Sequence, residues 1–189
     1  LKQRTGKIWM EIRYDPTIKN AYRHSKNAQP LHTDGSYIPN FPNSSLMCCK
    51  NNSVIGGETV FIDADLIVSI LRDYDSETFN YLTSNNIIHT RSGDKYEEKV
   101  LKKINGKWLI NWNYYCIDTN ETQKTKEIAD KFFDFLNNNV IVKRNLLNIK
   151  LISGEAVLWK DKEVLHGRNS FEAKHEGQRS IWKCAFEVG

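Results

Sequence analysis

Short segments rich in β-branched and aromatic residues recur along the chain, and turn residues separate them. Such residues favour extended structure. The two segments beside Asn105-Gly106 are typical of a β-hairpin, because this dipeptide adopts the tight turn that joins antiparallel strands. The predicted strands cover residues 7–13, 46–50, 58–62, 86–91, 95–104, 107–115, 148–153, 156–160, 164–166 and 180–188. Many short strands of this kind predict a β-sandwich or barrel.

Two segments predict helices that pack outside the strands. The first follows Asp63 or Asp65, either of which can cap a helix that continues through Leu71. The second covers residues 121–138, where apolar side chains recur at helical spacing. The chain has 189 residues, of which 40% are hydrophobic and 26% charged. We therefore expect one globular domain, residues 1–189.

Charge and composition exclude some classes of function. The 27 basic residues exceed the 23 acidic ones, but they are scattered and form no basic stripe, so nucleic-acid binding is not expected. No apolar run is long enough for a membrane span. The 4 cysteines lack the spacing of a metal site or disulfide framework, and we expect reduced thiols. Since there is also no signal-peptide pattern, a cytoplasmic location is expected; formation of a homo-oligomer is left open.

A histidine and an aspartate stand two residues apart in Leu31-His32-Thr33-Asp34. In an extended segment both side chains project from one face, so an imidazole nitrogen and a carboxylate oxygen can reach one cation. His166, in a distant predicted strand, supplies a second imidazole. Two histidines and one carboxylate form the facial triad that binds Fe(II) and leaves coordination positions open. Taken singly, each residue also fits an incidental surface or core position.

An arginine and a threonine indicate an anion site beside this triad. Arg179 enters the last predicted strand, where a buried guanidinium is costly unless it meets an anion. Its planar fork suits a carboxylate, and the hydroxyl of Thr59 can donate to the same carboxylate. Gly56-Gly57, just before Thr59, allows a tight bulge or a close approach of the backbone to a ligand.

Taken together, in order and spacing, four stretches resemble the taurine dioxygenase/TfdA superfamily, which includes γ-butyrobetaine hydroxylases and clavaminate-synthase-like enzymes. The stretches are His32-Thr33-Asp34, Gly56-Gly57-Glu58-Thr59, Leu165-His166-Gly167-Arg168-Asn169-Ser170-Phe171 and Gly177-Gln178-Arg179. The resemblance implies a mainly β fold with flanking helices around a double-stranded β-helix, the cupin-like jelly roll. It implies that the catalytic iron ligands are His32, Asp34 and His166. It also implies that Arg179 and Thr59 bind the distal carboxylate of 2-oxoglutarate.

The resemblance further implies an Fe(II)- and 2-oxoglutarate-dependent dioxygenase. In this superfamily, 2-oxoglutarate and O2 are consumed, succinate and CO2 are released, and the substrate usually gains a hydroxyl group. The expected reaction is therefore hydroxylation of an unactivated C–H bond in a small polar or amino-acid-like metabolite. Asp34 argues against halogenation, because related halogenases have a small residue there. The alternatives are desaturation or cyclisation of a carrier- or peptide-bound substrate, a non-catalytic jelly-roll binding module, and a zinc hydrolase, which would leave Arg179 and Thr59 unexplained.

Three residues are candidates for substrate binding. Lys183 stands where relatives such as taurine dioxygenase carry an arginine for an anionic substrate group; the alternative is a lysine at a strand end that reaches solvent. Arg168 is a second candidate, with a structural role, including an ion pair to Asp161 or Glu163, as the alternative. Tyr37, in the loop after the His-Thr-Asp stretch, can line the substrate entrance or belong to a plain turn.

Some residues are expected to lie outside the chemistry. The aromatic group Trp108, Trp112, Tyr114 and Tyr115 is compatible with a cation-binding cage like that of butyrobetaine hydroxylase, but a core or sheet-face location is favoured. The remaining histidines, His24, His89 and His175, have no motif around them and are expected not to bind metal. Only 31 residues precede His32, so we expect part of the usual N-terminal portion of the family to be missing, with a pocket that is partly open or completed by a partner.

Overall fold

The structure, a computed structural model, describes residues 8–18 and 21–188, and strands predominate in it as predicted. The strands are β1 (Met10–Arg13), β2 (Gln29–His32), β3 (Ser44–Asn51), β4 (Thr59–Asp63), β5 (Asn86–Arg91), β6 (Asp94–Lys99), β7 (Leu101–Ile104), β8 (Lys107–Ile110), β9 (Leu147–Ile149), β10 (Ala156–Lys160), β11 (Val164–Arg168) and β12 (Ser180–Phe186). The helices are α1 (Ala64–Tyr74), α2 (Ser76–Ser84), α3 (Gln123–Asn138) and α4 (Val140–Arg144). Single 3-10 turns cover Tyr22–His24 and Tyr114–Cys116.

Two four-stranded antiparallel sheets face each other. The first sheet has the order β1-β12-β3-β10 and the second has the order β2-β11-β4-β9. The hairpins β5-β6 and β7-β8 lie outside both sheets. Met47 and Ile181 of the first sheet pack with Phe61 of the second in one apolar cluster. The two sheets therefore form a sandwich with an apolar interior.

Side chains of the second sheet point alternately to its two faces, one of which packs in the core while the other faces the first sheet. Leu31 and Leu165 are buried in the larger apolar core, with residues of α1 and α3. Since neighbouring residues of a strand point to opposite faces, His32 and His166 project toward the first sheet. In the pairing of β2 with β11, His166 lies directly opposite His32. The sheet register thus brings together two imidazoles that are far apart in the sequence.

The helices cover the outer face of the second sheet, as the sequence predicts. Asp63 caps α1, and its carboxylate accepts the backbone N–H groups of Asp65 and Leu66. The helix α3 buries Ile128 and Phe132 in the larger core. Within the described part of the chain, every helix is too short or too polar to cross a membrane.

The structure departs from the predicted elements in several places. The strand predicted for 148–153 covers only Leu147–Ile149, because the backbone turns at 152–155, where the N–H of Glu155 donates to the carbonyl of Ile152. The strand β2 and the helix α4 were not among the predicted elements.

The segment 95–104, predicted as one strand, is divided into β6 and β7 at Val100, whose carbonyl accepts the N–H of Asn111. The strand predicted for 107–115 ends at Ile110. After it, the N–H of Asn111 donates to the carbonyl of Val100, and the carbonyl of Trp112 accepts the N–H of Thr33. The helix α2 was not predicted, since its apolar pattern is short. The start of the predicted strand 7–13, at Lys7, falls outside the described residues.

Candidate metal and cosubstrate site

The side chains of His32, Asp34 and His166 converge in the space between the sheets. Nε2 of each histidine lies 3.8 Å from Oδ1 of Asp34. The two imidazole ring centroids are 4.3 Å apart. One potential ligand atom from each of the three residues lies within 4.8 Å of the others. Among residues 8–18 and 21–188, this is the one cluster of metal-ligating side chains with such geometry.

The local backbone explains how Asp34 reaches this cluster. The sequence predicted an extended segment through Asp34, but the strand β2 ends at His32 and a turn follows. Thr33 holds this turn, since its N–H donates to the carbonyl of Trp112 at 2.7 Å and its hydroxyl accepts the N–H of Trp112 at 2.9 Å. Trp112 is itself fully buried in the larger core, as favoured from the sequence. The carboxylate of Asp34 is therefore anchored to the core through Thr33.

The protonation states suit a divalent cation. Burial lowers the pKa of both His32 and His166, so both imidazoles are neutral at pH 7. The Nδ1–H of His32 donates to the carbonyl of Pro30 at 2.9 Å, so Nε2 carries the lone pair, which accepts from the side-chain amide of Gln29 at 3.0 Å. Burial alone would raise the pKa of Asp34, but Lys183 and the two imidazoles lower it overall, so the group is a carboxylate. Two neutral imidazoles and one carboxylate are a donor set that fits Fe(II).

Asp161 is a buried neighbour of the cluster that the sequence did not single out for this role. Its Oδ1 lies 3.6 Å from Nδ1 of His166 and accepts the indole N–H of Trp159 at 3.3 Å. Burial, together with the carboxylate of Asp34, raises the pKa of Asp161 to about 7. A carboxyl group behind a ligating histidine orients the ring. A ligating imidazole needs an acceptor for its second nitrogen, but no signal in the sequence indicates that Asp161 is that acceptor.

Lys183 occupies the space beside the triad. Its side chain is buried, and Nζ forms an ion pair with Oδ2 of Asp34. Nζ also lies 3.3 Å from Nε2 of His166 and 4.9 Å from the ring centroid of Trp159. The alternative of a lysine that reaches solvent is therefore wrong. A role for Lys183 in substrate binding stays a prediction.

Thr59 and Arg179 line a cavity of about 100 Å³ together with the triad. Arg179 is 3% exposed, its Nη2 donates only a long hydrogen bond of 3.4 Å to the carbonyl of Gly57, and its Nε has no partner. Burial lowers the pKa of Arg179 to about 10, so the group remains charged at pH 7. A side chain at Gly57 would place Cβ 3.2 Å from Nε of Arg179, and the φ of +81° favours glycine as well. A charged, buried guanidinium with so few partners is suited to an anionic ligand.

Arg168 lines the same cavity but is engaged with the backbone. Its Nη2 donates to the carbonyls of Tyr22, Ser25 and Asn27 at 3.2, 2.9 and 2.7 Å. Asp161 and Glu163, the expected ion-pair partners, form no ion pair with Arg168 among the described residues. The structural role that we gave as the alternative therefore takes a different form, in which Arg168 holds the segment 22–27 against β11.

A second cavity, of about 680 Å³, opens next to the triad. Tyr37 and Gly35 line it, so the loop after Asp34 lies where an entrance loop was expected. Tyr114 and Tyr115 also line it, whereas Trp112 does not. Substrate binding by Tyr37 and Arg168 stays a prediction. The histidines His24, His89 and His175 lie outside the cluster, as expected.

Comparisons with curated proteins find distant relatives. Human gamma-butyrobetaine dioxygenase is 21% identical over 182 residues, which cover 88% of this chain and 46% of the relative. A dioxygenase of Strobilurus tenacellus is 26% identical over 148 residues, or 75% of this chain and 35% of that protein. The chain thus spans about half or less of the length of the curated relatives it matches.

Comparisons with solved structures show the fold. An asparagine oxygenase in complex with Fe(II), a hydroxyasparagine and succinate matches with a TM-score of 0.78 at 12% identity, covering 95% of this chain and 56% of that one. The non-heme iron oxygenase OrfP, in complex with Fe and alpha-ketoglutaric acid, matches with a TM-score of 0.71 at 13% identity, covering 97% and 57%. These likenesses confirm the predicted jelly-roll core. The model of the family described as "Taurine catabolism dioxygenase TauD, TfdA family" matches residues 2–185, and the chain therefore belongs to this family.

Proposed function

We propose that the protein is an Fe(II)- and 2-oxoglutarate-dependent dioxygenase that hydroxylates a C–H bond of a small polar or amino-acid-like molecule. The observation that carries the proposal is the charged Arg179 guanidinium, buried and almost without partners, in the same cavity as the His32, Asp34 and His166 cluster. A metal-binding module without a cosubstrate would have no use for this costly buried charge. Family membership supports the same reaction class.

The residues of this chain would divide the work as follows. His32, Asp34 and His166 would hold the metal on one side and leave the other side open. Bound Fe(II), 2-oxoglutarate and O2 would supply the oxidising chemistry, with succinate and CO2 as by-products. Arg179 would bind the distal carboxylate of 2-oxoglutarate through its two-pronged guanidinium, and the hydroxyl of Thr59 would donate to the same group.

Neighbouring residues would orient these groups and exclude water. Asp161 lies behind the ring of His166 and would keep its Nε2 directed at the metal. Phe61 and Trp159 lie at 6.4 and 5.0 Å from the His166 ring, centroid to centroid, and keep this side of the site apolar. Lys183 and Tyr37 would contact the substrate from the larger cavity, which both line. A dry, fixed site of this kind favours reaction with the positioned substrate over side reactions.

Anaerobic titration with Fe(II) and 2-oxoglutarate tests the proposal directly. Chelation of iron by the keto acid gives a weak visible charge-transfer band, and we expect this band in the wild type. The variant Arg179→Gln should need much more 2-oxoglutarate to develop it, whereas Arg72→Gln, on the exposed side of α1, should match the wild type. A wild type that shows no band would favour the non-catalytic binding module instead.

Product analysis separates hydroxylation from the alternatives that use the same residues. Candidate metabolites can be screened by the release of succinate that depends on their presence. A product heavier by one oxygen atom indicates hydroxylation, whereas the loss of two hydrogen atoms indicates desaturation or cyclisation. Small-molecule binding and a cytoplasmic location remain part of this proposal.

A further inference from the structure

The cavity beside the metal cluster and the larger cavity meet at one wall. They share six lining residues, Met10, Arg23, Gln29, His32, Asp34 and Lys183. Arg23, which has no motif around it in the sequence, is one of these six. It belongs to the 3-10 turn Tyr22–His24, not to either sheet. Arg23 therefore borders both cavities, and its Nη1 lies 3.7 Å from Sδ of Met10, which lines both as well.

Arg168 fixes the backbone position of the segment that contains Arg23. The guanidinium of Arg168 donates to the carbonyls of Tyr22, Ser25 and Asn27, which surround Arg23 in the chain. Arg168 is 5% exposed and belongs to β11, two residues after His166. The segment that carries Arg23 is thus fixed to the strand that carries a proposed iron ligand. This connection makes Arg23 a positioned group, although its own side chain is exposed.

The larger cavity carries an excess of positive charge. Its lining includes Arg23, Arg91 and Lys183, but Asp34 is its only carboxylate. Lys183 already forms an ion pair with Asp34, so the two arginines have no counter-charge in the lining. Nε of Arg23 donates to the His24 ring at 2.9 Å, and no ion pair joins Arg23 to a carboxylate among the described residues. Such a lining attracts an anion and repels a cation.

Aromatic side chains form the apolar part of the same cavity. Tyr22 and Tyr115 contact each other with ring centroids 5.7 Å apart, and Tyr114 lies 5.3 Å from Tyr115. Aromatic walls could also hold a quaternary ammonium group, but that group would then lie near Arg23 and Arg91. The cavity volume of about 680 Å³ is typical of small-molecule sites.

We infer that Arg23 binds an oxyanion of the substrate, and that the substrate is an anion with an apolar body, rather than a quaternary ammonium compound. This inference rests on the proposed function, because it names the substrate class of that same site. Arg23 is a specificity-determining residue in this view, and Arg91 adds to the attraction from the other part of the cavity. A carboxylate and a phosphate ester offer the same oxyanion chemistry to a guanidinium.

Binding of four probes with one common body tests the inference. The probes are phenylbutyrate, phenylbutyl phosphate, phenylbutanamide and phenylbutyltrimethylammonium, titrated calorimetrically into the protein with zinc and 2-oxoglutarate present. We expect at least one anionic probe to bind about tenfold or more tightly than the amide and the ammonium probe. The stronger of the two anions identifies the oxyanion as carboxylate or phosphate.

Three variants locate the effect. Arg23→Gln should abolish the preference for the anion, Arg23→Lys should retain it at reduced affinity, and the control Arg72→Gln should behave as wild type. The inference is overturned if Arg23→Gln keeps the preference, if the ammonium or amide probe binds as well as the anions, or if no probe binds at millimolar concentration. It is also overturned if Arg23→Gln weakens 2-oxoglutarate instead, since Arg23 would then serve the cosubstrate.

The 2-oxoglutarate titration of the same samples keeps the two claims apart. If the wild type binds 2-oxoglutarate but shows no anion preference, only the inference about the substrate fails. If the wild type does not bind 2-oxoglutarate with metal present, the proposed function fails, and the inference that rests on it fails as well.

Discussion

Replacing Arg179 by methionine should stabilise the protein while removing its response to 2-oxoglutarate. Burial lowers the pKa of Arg179 from its ordinary value to about 10. That change corresponds to about 3 kcal/mol by which the charged form is less favourable in the folded chain than in the unfolded chain. Because the pKa of this base is lowered, the cost is fully present at pH 7 and begins to fall only above about pH 10. It is gone once the arginine of the unfolded chain is deprotonated as well.

The gain in stability should be smaller than this cost. Methionine also loses the weak hydrogen bond to Gly57 and the contact of the guanidinium with the Phe171 ring, at 5.3 Å from its centroid, together about 1 kcal/mol. The net increase in the free energy of unfolding is therefore about 2 kcal/mol, or about 4–8 °C in melting temperature for a chain of this size.

Thermal unfolding measured with and without ligand checks both parts. Relative to zinc alone, zinc with a saturating excess of 2-oxoglutarate should stabilise the wild type by about 3 kcal/mol and Arg179→Met by almost nothing. Arg72→Met serves as the matched control: it should leave the response to 2-oxoglutarate unchanged and should not raise the melting temperature, since it loses only the contact of the guanidinium with the Phe79 ring, 5.7 Å from its centroid. A ligand-free Arg179→Met protein that melts several degrees below wild type would refute the reasoning, because the guanidinium would then be stabilising. So would an undiminished response to 2-oxoglutarate.

Three further predictions concern the metal and the buried histidines. Asp34→Ala should abolish the charge-transfer band with Fe(II) and 2-oxoglutarate, because it removes the one anionic donor; retention of the band would exclude Asp34 as a ligand. Lys183→Met should bind zinc about tenfold more tightly by calorimetry, because the ammonium no longer competes for Asp34; unchanged or weaker binding would contradict this. Burial lowers the pKa of His89 from 6.5 to about 4, so protonation favours the unfolded chain as the pH falls through this range. Between pH 6.5 and 4, urea unfolding of His89→Leu should show about 3 kcal/mol less loss of stability than the wild type, and parallel losses would contradict the assignment.

The elements that carry the site could be predicted because their pattern is local. Alternation of apolar and polar residues around His32 and His166 is enough to place each histidine on one face of a strand, opposite Leu31 and Leu165. The family resemblance carried by the ordered motifs implied that these strands and Arg179 meet, and the structure brings them to one cavity.

Contacts that depend on three-dimensional proximity could not be predicted in this way. Asp161 lies in the turn after β10, and only the fold shows that it is buried beside His166. Lys183 was expected near the substrate, but its contacts with Asp34 and His166 are shown only by the fold. Arg168 was a candidate for substrate binding, with an ion pair to Asp161 or Glu163 as the alternative. Its guanidinium binds backbone carbonyls instead of these carboxylates, and such contacts have no signature in the sequence. The position of Arg23 depends in turn on Arg168, so it was beyond the reach of pattern analysis.

The hydrogen bonds of Arg168 to the backbone limit which substitutions in the pocket disturb the fold. Its guanidinium recognises main-chain oxygens of Tyr22, Ser25 and Asn27, and these oxygens are present whatever side chains the segment carries. Substitutions in residues 22–27 can thus change the side chains that line the cavity, while the backbone of this segment keeps its position against β11. In the proposed enzyme, Arg168 would keep the geometry of the metal site while the side chains of residues 22–27 change. A library confined to this segment would therefore be expected to alter which substrates bind without loss of metal binding.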